Sequence, residues 1–240
     1  MSRAFFKALA RDAAQRYPAH DRFARHFAYG KLTGDPVFEF LLARGMIRDG
    51  VPLLDVGCGQ GLVASLLSAA HQRYGRGDWP AGWPAPARPS AIRGVDLSAK
   101  DIARARAAVP TAEWIHGDMT EAPLDEAGTV VILDVLHYVA RPVQDTVLHR
   151  VARVLADGGT ALVRVADANG SLRFRITLFL DRLMCVVRGQ PVTGMHTRPL
   201  ADWIGQLRQE GLEAEPVPMS EGTPFANVLL VARAAVPAPG

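Results

Sequence analysis

The chain has 240 residues, of which 49% are apolar, and this is enough to bury one sizeable hydrophobic core. The formal net charge of +3 is mild and the basic residues are scattered, so the composition gives no indication of nucleic-acid binding. Two cysteines, Cys58 and Cys185, provide neither a disulfide framework nor the spacing of a metal site. With no signal-type segment and no stretch of membrane-spanning length, we expect a cytoplasmic protein.

Apolar residues recur at helical spacing in the first fifty residues and predict a helical cap, 1–50, ahead of the first strand. We expect Pro18, Gly30, Gly34 and Pro36 to divide this cap into short helices, because proline and glycine interrupt helical patterns.

The central motif of the sequence is Val51–Gly61, where an apolar strand enters a turn with glycines at positions 57, 59 and 61. A helix is predicted to leave the turn over Leu62–Ala70. Glycines permit positive φ and close approach of a ligand to the backbone, and the N–H groups at a helix start attract anions. The dinucleotide pattern G-x-G-x-x-G would need glycine where the sequence has Leu62, so a nicotinamide cofactor is the weaker alternative.

A segment rich in Pro, Gly and Trp, 74–90, separates this helix from the next strand and is predicted to be a loop, since proline cannot donate to a helix or a central strand. Loops of this length are uncommon inside compact domains. We expect Trp79 and Trp83 to pack the loop against the surface, with contact to a substrate as the alternative.

The next strand, Ala91–Asp96, is followed by a helix over Ala99–Ala108 that Ser98 caps. An acid at the carboxyl end of this strand is where doubly wound folds hydrogen-bond a ribose, so Asp96 is the candidate for that role. A third strand, Glu113–His116, leads into the turn Gly117-Asp118-Met119.

The alternation of strands and helices continues to the end of the chain and predicts a doubly wound α/β fold. The predicted elements are strand Val130–Leu133, helix Val143–Leu155, strand Thr160–Val165 after a turn at 157–159, amphipathic helix Ser171–Val187, helix Pro199–Glu210, and strands Leu212–Val217 and Phe225–Ala232. The last two strands are too close in sequence for a crossover helix, so we expect them to pair antiparallel. The sheet would have seven strands and be mostly parallel.

The central turn reads D-x-G-x-G-x-G from Asp55 and resembles motif I of the class I S-adenosylmethionine-dependent methyltransferases. The resemblance covers about Leu53–Ala232 and includes the turn 117–119, the stretch 131–138 and the glycine turn after 151–155. It implies the Rossmann-like methyltransferase fold, S-adenosylmethionine as cofactor, and a methyltransferase domain over 51–235 with inserts at 74–90 and 171–198. Asp96 lies 41 residues after Asp55, about double the usual spacing in the family, and the first insert accounts for the difference.

The resemblance also implies a set of cofactor-binding residues. They are Asp55, Gly57, Cys58, Gly59, Gln60, Gly61, Asp96, Leu97, Asp118, Met119, Leu133 and Asp134. Asp96 would accept hydrogen bonds from both ribose hydroxyls, and Asp118 would accept one from the adenine amino group. The stretch 131–138 would line the space around the methyl group.

Methyl transfer from a sulfonium is an in-line displacement, so the protein mainly aligns the reactants and excludes water. For a phenolic acceptor, with a pKa of about 10, a general base helps, and the candidate catalytic residues are His137 and its neighbour Tyr138. The alternatives are that His137 has a structural role and that Tyr138 only lines the acceptor site. Arg164 and Asp167 could bind ligand at the end of the fifth strand or form a structural ion pair.

Asp134, Asp167 and Asn169 resemble the oxygen ligands of metal-dependent catechol methyltransferases, but the adjacent Asp-Asn pair of that group is missing and no metal is expected. The signature of nucleic-acid amino-methyltransferases after strand four, Asn or Asp followed by two prolines and an aromatic residue, is also missing. The predicted acceptor is therefore a small molecule, free or bound to a carrier protein, and no nucleic-acid partner is expected.

A looser resemblance connects four short strings to methyltransferases found with bacterial aryl-polyene pigment pathways. They are Gly82–Pro84, Leu133–Tyr138, Val163–Ala168 and Pro224–Leu230. This resemblance implies a phenolic head group or its precursor as the acceptor. A nicotinamide-dependent oxidoreductase and a non-catalytic cofactor-binding partner protein are the alternative functions.

Overall fold

The structure is a computed structural model of the protein and describes residues 2–168, 196–220 and 226–234. Its helices are α1 (Ser2–Gln15), α2 (Arg22–Gly34), α3 (Pro36–Ala43), α4 (Leu62–Gly75), α5 (Ala99–Ala108), a short 3₁₀ helix (Leu136–Tyr138), α6 (Arg141–Val154) and α7 (Leu200–Gln209). None of the helices in these ranges combines the length and the apolarity needed to cross a membrane.

In the described ranges, seven strands form one sheet, which confirms the predicted fold class. They are β1 (Leu53–Val56), β2 (Ile92–Asp96), β3 (Glu113–His116), β4 (Ala127–Leu133), β5 (Leu155–Ala166), β6 (Leu212–Pro218) and β7 (Asn227–Ala234). Their order across the sheet is β3-β2-β1-β4-β5-β7-β6. β2 pairs parallel with β1 and β3, whereas β7 pairs antiparallel with β5 and β6.

The chain divides into two compact units, residues 1–129 and 130–240. The predicted division into a cap, 1–50, and a domain, 51–235, differs from this one and stays a prediction.

In the first unit, three helices precede β1, as the sequence indicates. Side chains cap the N-termini of two of these helices. The Asp21 carboxylate accepts the N–H of Ala24 at the start of α2, and the Asp35 carboxylate accepts the N–H of Val37 at the start of α3. The predicted break at Gly30 is wrong, because α2 continues through this residue to Gly34. One glycine costs a helix only about 1 kcal/mol, and the burial of Ala24, Ala28 and Leu32 along one face of α2 supports the helix.

The predicted loop at 74–90 begins slightly later, because α4 runs to Gly75 and so includes Tyr74. Trp79 and Trp83 lie edge-to-face with each other and with Phe5 of α1, with ring centroids 5.6 to 5.8 Å apart. The loop is thus packed through its tryptophans onto the first helix.

In the second unit, the predicted turn before the fifth strand lies inside it, since β5 already begins at Leu155. A Cβ on Gly159 would stand 2.7 Å from the carbonyl oxygen of Ala156. The chain therefore bends tightly within the strand, and Gly158 and Gly159 tolerate this bend because they have no side chain. The predicted helix Ser171–Val187 lies outside the described residues, as does Asn169.

Candidate functional site

The glycine turn between β1 and α4 has a left-handed backbone at all three glycines, with φ of 73° at Gly57, 53° at Gly59 and 76° at Gly61. The N–H groups of Gly57 and Cys58 both donate to the carbonyl oxygen of Val95 in β2, at 2.8 and 3.0 Å. Residues with a Cβ seldom adopt such angles, so the turn depends on glycine at these positions.

The second and third glycines of the turn face different surroundings. A Cβ on Gly59 would meet nothing within 4 Å, whereas a Cβ on Gly61 would stand 2.6 Å from Cη2 of Trp114. Gly59 therefore leaves open space for a ligand, and Gly61 makes room for a side chain of the protein.

Asp96 joins the turn to the end of β2. One carboxylate oxygen accepts the N–H of Gly59 and the other accepts the N–H of Ser98, both at 2.8 Å. The next residue, Leu97, has 70% of its surface exposed, which is unusual for a large apolar side chain. Asp96 thus stands beside the open space at Gly59, and the exposed Leu97 follows it directly in the chain.

The turn after β3 lies next to Asp96, since the N–H of Gly117 donates to the Asp96 carbonyl oxygen at 3.1 Å. The Asp118 carboxylate is exposed and accepts both the N–H and the hydroxyl of Thr120. Met119 is half-buried. The structure thus brings the predicted residues of β1, β2 and β3 together at one edge of the first unit.

Two predicted cofactor residues of the turn point into the protein. The Cys58 thiol is buried, and burial together with the charges of Asp55 and Asp96 raises its pKa, so it stays protonated. The Gln60 side chain is also buried, and its Nε2 donates to the carbonyl oxygen of Ala24 in α2 at 2.9 Å. Only the backbone of these two residues lines the turn.

Asp55 is a buried carboxyl group at the end of β1. Burial, with a smaller effect from the negative charge of Asp96, raises the pKa of Asp55 to about 7. An aspartate in an unfolded chain titrates near a pKa of about 3.9. Between these two values the folded protein holds a proton that the unfolded chain has lost, so Asp55 lowers the free energy of unfolding as pH rises from about 4 to about 7.

Replacing Asp55 with Asn removes this titration. Relative to Asp55→Asn, we expect the wild type to lose free energy of unfolding between pH 4.5 and pH 8, by about 4 kcal/mol at most. Urea unfolding of both proteins at several pH values measures the difference. Parallel stability profiles for the two proteins would contradict the raised pKa.

In the second unit, Asp134 follows β4 with a φ of 56°, the only positive φ outside glycine in the described part of the chain. Arg164 of β5, which is 1% exposed, donates from Nε to the Asp134 carboxylate at 2.6 Å, and its Nη2 contacts the other carboxylate oxygen. The structure pairs Arg164 with Asp134, whereas the sequence suggested Asp167 as the partner of Arg164 in an ion pair. Since the left-handed conformation is strained for aspartate, the buried guanidinium stabilises the bend at which the turn to His137 begins.

His137 and Tyr138 lie in the 3₁₀ helix after this bend, with ring centroids 4.1 Å apart. His137 is buried and Tyr138 is half-buried. The His137 carbonyl oxygen accepts the N–H of His196 at 2.9 Å. Leu133, also half-buried, ends β4 immediately before the bend.

The sequence interpretation missed Gln144, a buried residue of α6 that holds this turn. Its Nε2 lies within 3.0 Å of the carbonyl oxygens of Leu136, Val139 and His196, and its Oε1 accepts Nε of Arg198 at 2.6 Å. A weak signal was present: Gln144 stands on the apolar stripe of α6, in register with Val147, Leu148 and Val151. A polar residue at a core position needs a hydrogen-bonding partner.

Asp167 uses its carboxylate to accept the N–H of Leu200 at the start of α7, at 3.0 Å, and its backbone bridges to Arg198. In the described ranges, no three His, Cys, Asp or Glu side chains are placed to hold a metal ion.

Comparison with known protein families finds a similarity over part of the chain. Residues 53–159 match the family model described as a methyltransferase domain. None of the curated proteins matches the sequence significantly.

Solved structures give a likeness of fold over nearly the whole chain. Magnesium protoporphyrin IX methyltransferase from Synechocystis PCC 6803, with bound SAH, superposes with a TM-score of 0.59 and 18% identity over 97% of this chain and 98% of that chain. An O-methyltransferase family 2 protein from Planctomyces limnophilus in complex with apigenin gives 0.61 and 18% over 93% and 65%. A chain from the Haloferax volcanii complex of the Trm112 methyltransferase activator with a methyltransferase gives 0.62 and 17% over 100% of both.

Residues 53–159 are therefore similar to a methyltransferase domain, and the chain has the Rossmann-like methyltransferase fold.

Proposed function

We propose that the protein is a class I S-adenosylmethionine-dependent methyltransferase that acts on a small molecule, with a phenol as the acceptor class. The observation that carries the proposal is the contact of Asp96 with the glycine turn, beside the open space at Gly59. The methyltransferase domain match and the neighbours with bound cofactor support it.

The residues around the turn fit S-adenosylmethionine. The carboxylate of Asp96 would accept the ribose hydroxyls, the exposed face of Leu97 would cover the adenine ring, and the backbone at Gly59 would lie against the methionine part. The bound cofactor supplies an electrophilic methyl group. Asp118, on the neighbouring turn, would meet the adenine amino group.

The proposed acceptor class rests on resemblance and on the chemistry of the turn after β4. Structures with this fold include the protein from Planctomyces limnophilus that is complexed with apigenin, a small molecule that carries phenol groups. The short strings that resemble aryl-polyene pathway enzymes point to the same class. In our proposal, His137 takes the phenol proton while Tyr138 and Leu133 exclude water from the acceptor.

His137→Gln tests the general-base role. We expect kcat to fall roughly 10²- to 10⁴-fold with a phenol of ordinary pKa, because general-base catalysis contributes that much, while cofactor affinity is little changed. The loss should shrink along a series of more acidic phenols, which need less help with deprotonation. An equal loss, or no loss, at every acceptor pKa would assign His137 a structural role.

Calorimetry with three ligands tests the function itself. We expect S-adenosylmethionine and its demethylated product, S-adenosylhomocysteine (SAH), to bind, and NAD not to bind. NAD binding of equal strength would favour the oxidoreductase alternative. Incubation with methyl-labelled cofactor and a panel of phenolic acids, free and carrier-bound, then separates an enzyme from a non-catalytic cofactor-binding protein.

A further inference from the structure

Two contacts with the N-terminal segment hold Gln60, the residue between Gly59 and Gly61 of the glycine turn. The hydroxyl of Tyr17, just after α1, donates to the carbonyl oxygen of Gln60 at 2.9 Å. The Gln60 side chain donates to the carbonyl oxygen of Ala24 in α2, also at 2.9 Å. All three residues are buried, with exposed fractions of 1%, 2% and 0%. Gln60 is thus fixed through both its backbone and its side chain.

The helices that make these contacts are themselves anchored within the first unit. Arg104 of α5 donates to both carboxylate oxygens of Asp21, the residue that caps α2, at 2.7 and 3.2 Å. Arg16 at the end of α1 donates to the carbonyl oxygen of Ala108 at 3.2 Å. Tyr17 and Ala24 therefore offer Gln60 a fixed frame.

A turn built on glycine needs such a frame. Gly59 and Gly61 flank Gln60, and each has access to many more backbone conformations than other residues have. A ligand that binds a mobile turn must first order it, and this cost weakens binding. Burial raises the pKa of Tyr17, so its hydroxyl keeps its proton and remains a hydrogen-bond donor over the whole physiological pH range.

We propose that Tyr17 and Gln60 are positioning residues of the cofactor turn, and that cofactor binding and the docking of α1 and α2 stabilise each other. The inference rests on the proposed function, because it takes the ligand of the turn to be S-adenosylmethionine or SAH. Coupling of this kind is reciprocal. If docking of α1 and α2 raises cofactor affinity by some factor, bound cofactor raises the equilibrium constant for docking of these helices by the same factor.

Two variants and a matched control test whether Tyr17 and Gln60 raise cofactor affinity, with SAH as the probe in calorimetry. Tyr17→Phe removes only the hydroxyl, and Gln60→Met removes the side-chain amide. We expect either change to raise the Kd for SAH about fivefold or more. Thr33→Val removes a hydroxyl that donates to the carbonyl oxygen of Tyr29 within α2 and does not anchor the helices to the turn, so its Kd should stay within about twofold of the wild type.

Gln60→Met carries the test should Tyr17→Phe fail to fold. The Oε1 atom of Gln60 is buried and has no hydrogen-bond donor among the described residues. Its removal relieves an unsatisfied polar atom and offsets the loss of the bond to Ala24, so this variant should keep nearly wild-type stability.

Hydrogen exchange tests whether bound cofactor stabilises the docked helices. Saturating SAH should slow amide exchange in α1 and α2 of the wild type, and should slow it less in Gln60→Met. A Kd for SAH in both variants equal to that of Thr33→Val, or exchange in these helices that SAH does not alter, would overturn the inference while leaving the proposed function intact. No SAH binding by the wild type would remove the proposed function and this inference with it.

Discussion

Asp96→Ala is expected to weaken SAH binding by roughly 1 to 3 kcal/mol, a rise in Kd of about five- to 150-fold. Two effects add in the same direction. The ribose hydroxyls of the proposed cofactor lose their acceptor, and the N–H groups of Gly59 and Ser98 lose theirs, so the turn is less ordered before the ligand arrives. Calorimetric titration with SAH measures the change.

Asp96→Asn gives the graded version of this experiment. The amide keeps one oxygen acceptor and replaces the other with a donor, which cannot accept an N–H. Its Kd should lie between those of the wild type and Asp96→Ala.

Asp49→Ala is the matched control for loss of a carboxylate that accepts a backbone N–H. Asp49 accepts the N–H of Arg88 at 2.5 Å in an exposed loop away from the turn. We expect this change to leave the Kd for SAH unaltered. Equal binding by Asp96→Ala and Asp49→Ala would overturn the assignment of Asp96 to the cofactor.

The parts of the fold that the sequence predicted well are those with local causes. The turn from β1 to α4 follows from three glycines in five residues, and Ser98 caps α5 as expected because an N-cap needs only a backbone N–H three residues away. The antiparallel pairing of β6 and β7 followed from the short segment between them.

The features that escaped prediction depend on partners far apart in the sequence. Tyr17 reads as one more apolar position of α1, and nothing local shows that its hydroxyl meets a carbonyl 43 residues later. Gln144 and Arg198 are 54 residues apart and form their hydrogen bond only once β5 and its neighbours are placed. Gln60 shows the same limit: the motif gave its position in the turn but not the direction of its side chain.

Trp114 is a further residue whose long-range contact escaped prediction, and it determines the expected effect of a substitution at Gly61. The three glycines of the turn look equivalent in sequence, yet the indole ring of Trp114 fills the space beside Gly61 and leaves the space beside Gly59 open. Trp114 is buried, and its Nε1 donates to the carbonyl oxygen of Val109 at 2.9 Å, so the ring is held in place. A side chain at position 61 would therefore meet a ring that cannot easily move.

Gly61→Ala should lower the free energy of unfolding by about 3 kcal/mol, because it combines a left-handed backbone with an overpacked core. For a chain of this size that corresponds to a fall in Tm of about 10 °C. Gly59→Ala adopts a similar φ without the clash, so it should cost stability only about 1 kcal/mol for the backbone strain. Its added methyl group enters the proposed cofactor space instead and should weaken SAH binding more than Gly61→Ala does.

A double-mutant cycle with Trp114→Leu isolates the clash from the backbone strain. In the Trp114→Leu background the indole atoms that face position 61 are gone, so Gly61→Ala should cost less there than in the wild type, by about 1 kcal/mol or more. Urea unfolding of the four proteins gives the coupling. If Gly61→Ala costs the same in both backgrounds, the packing of Trp114 has no part in the requirement for glycine at 61.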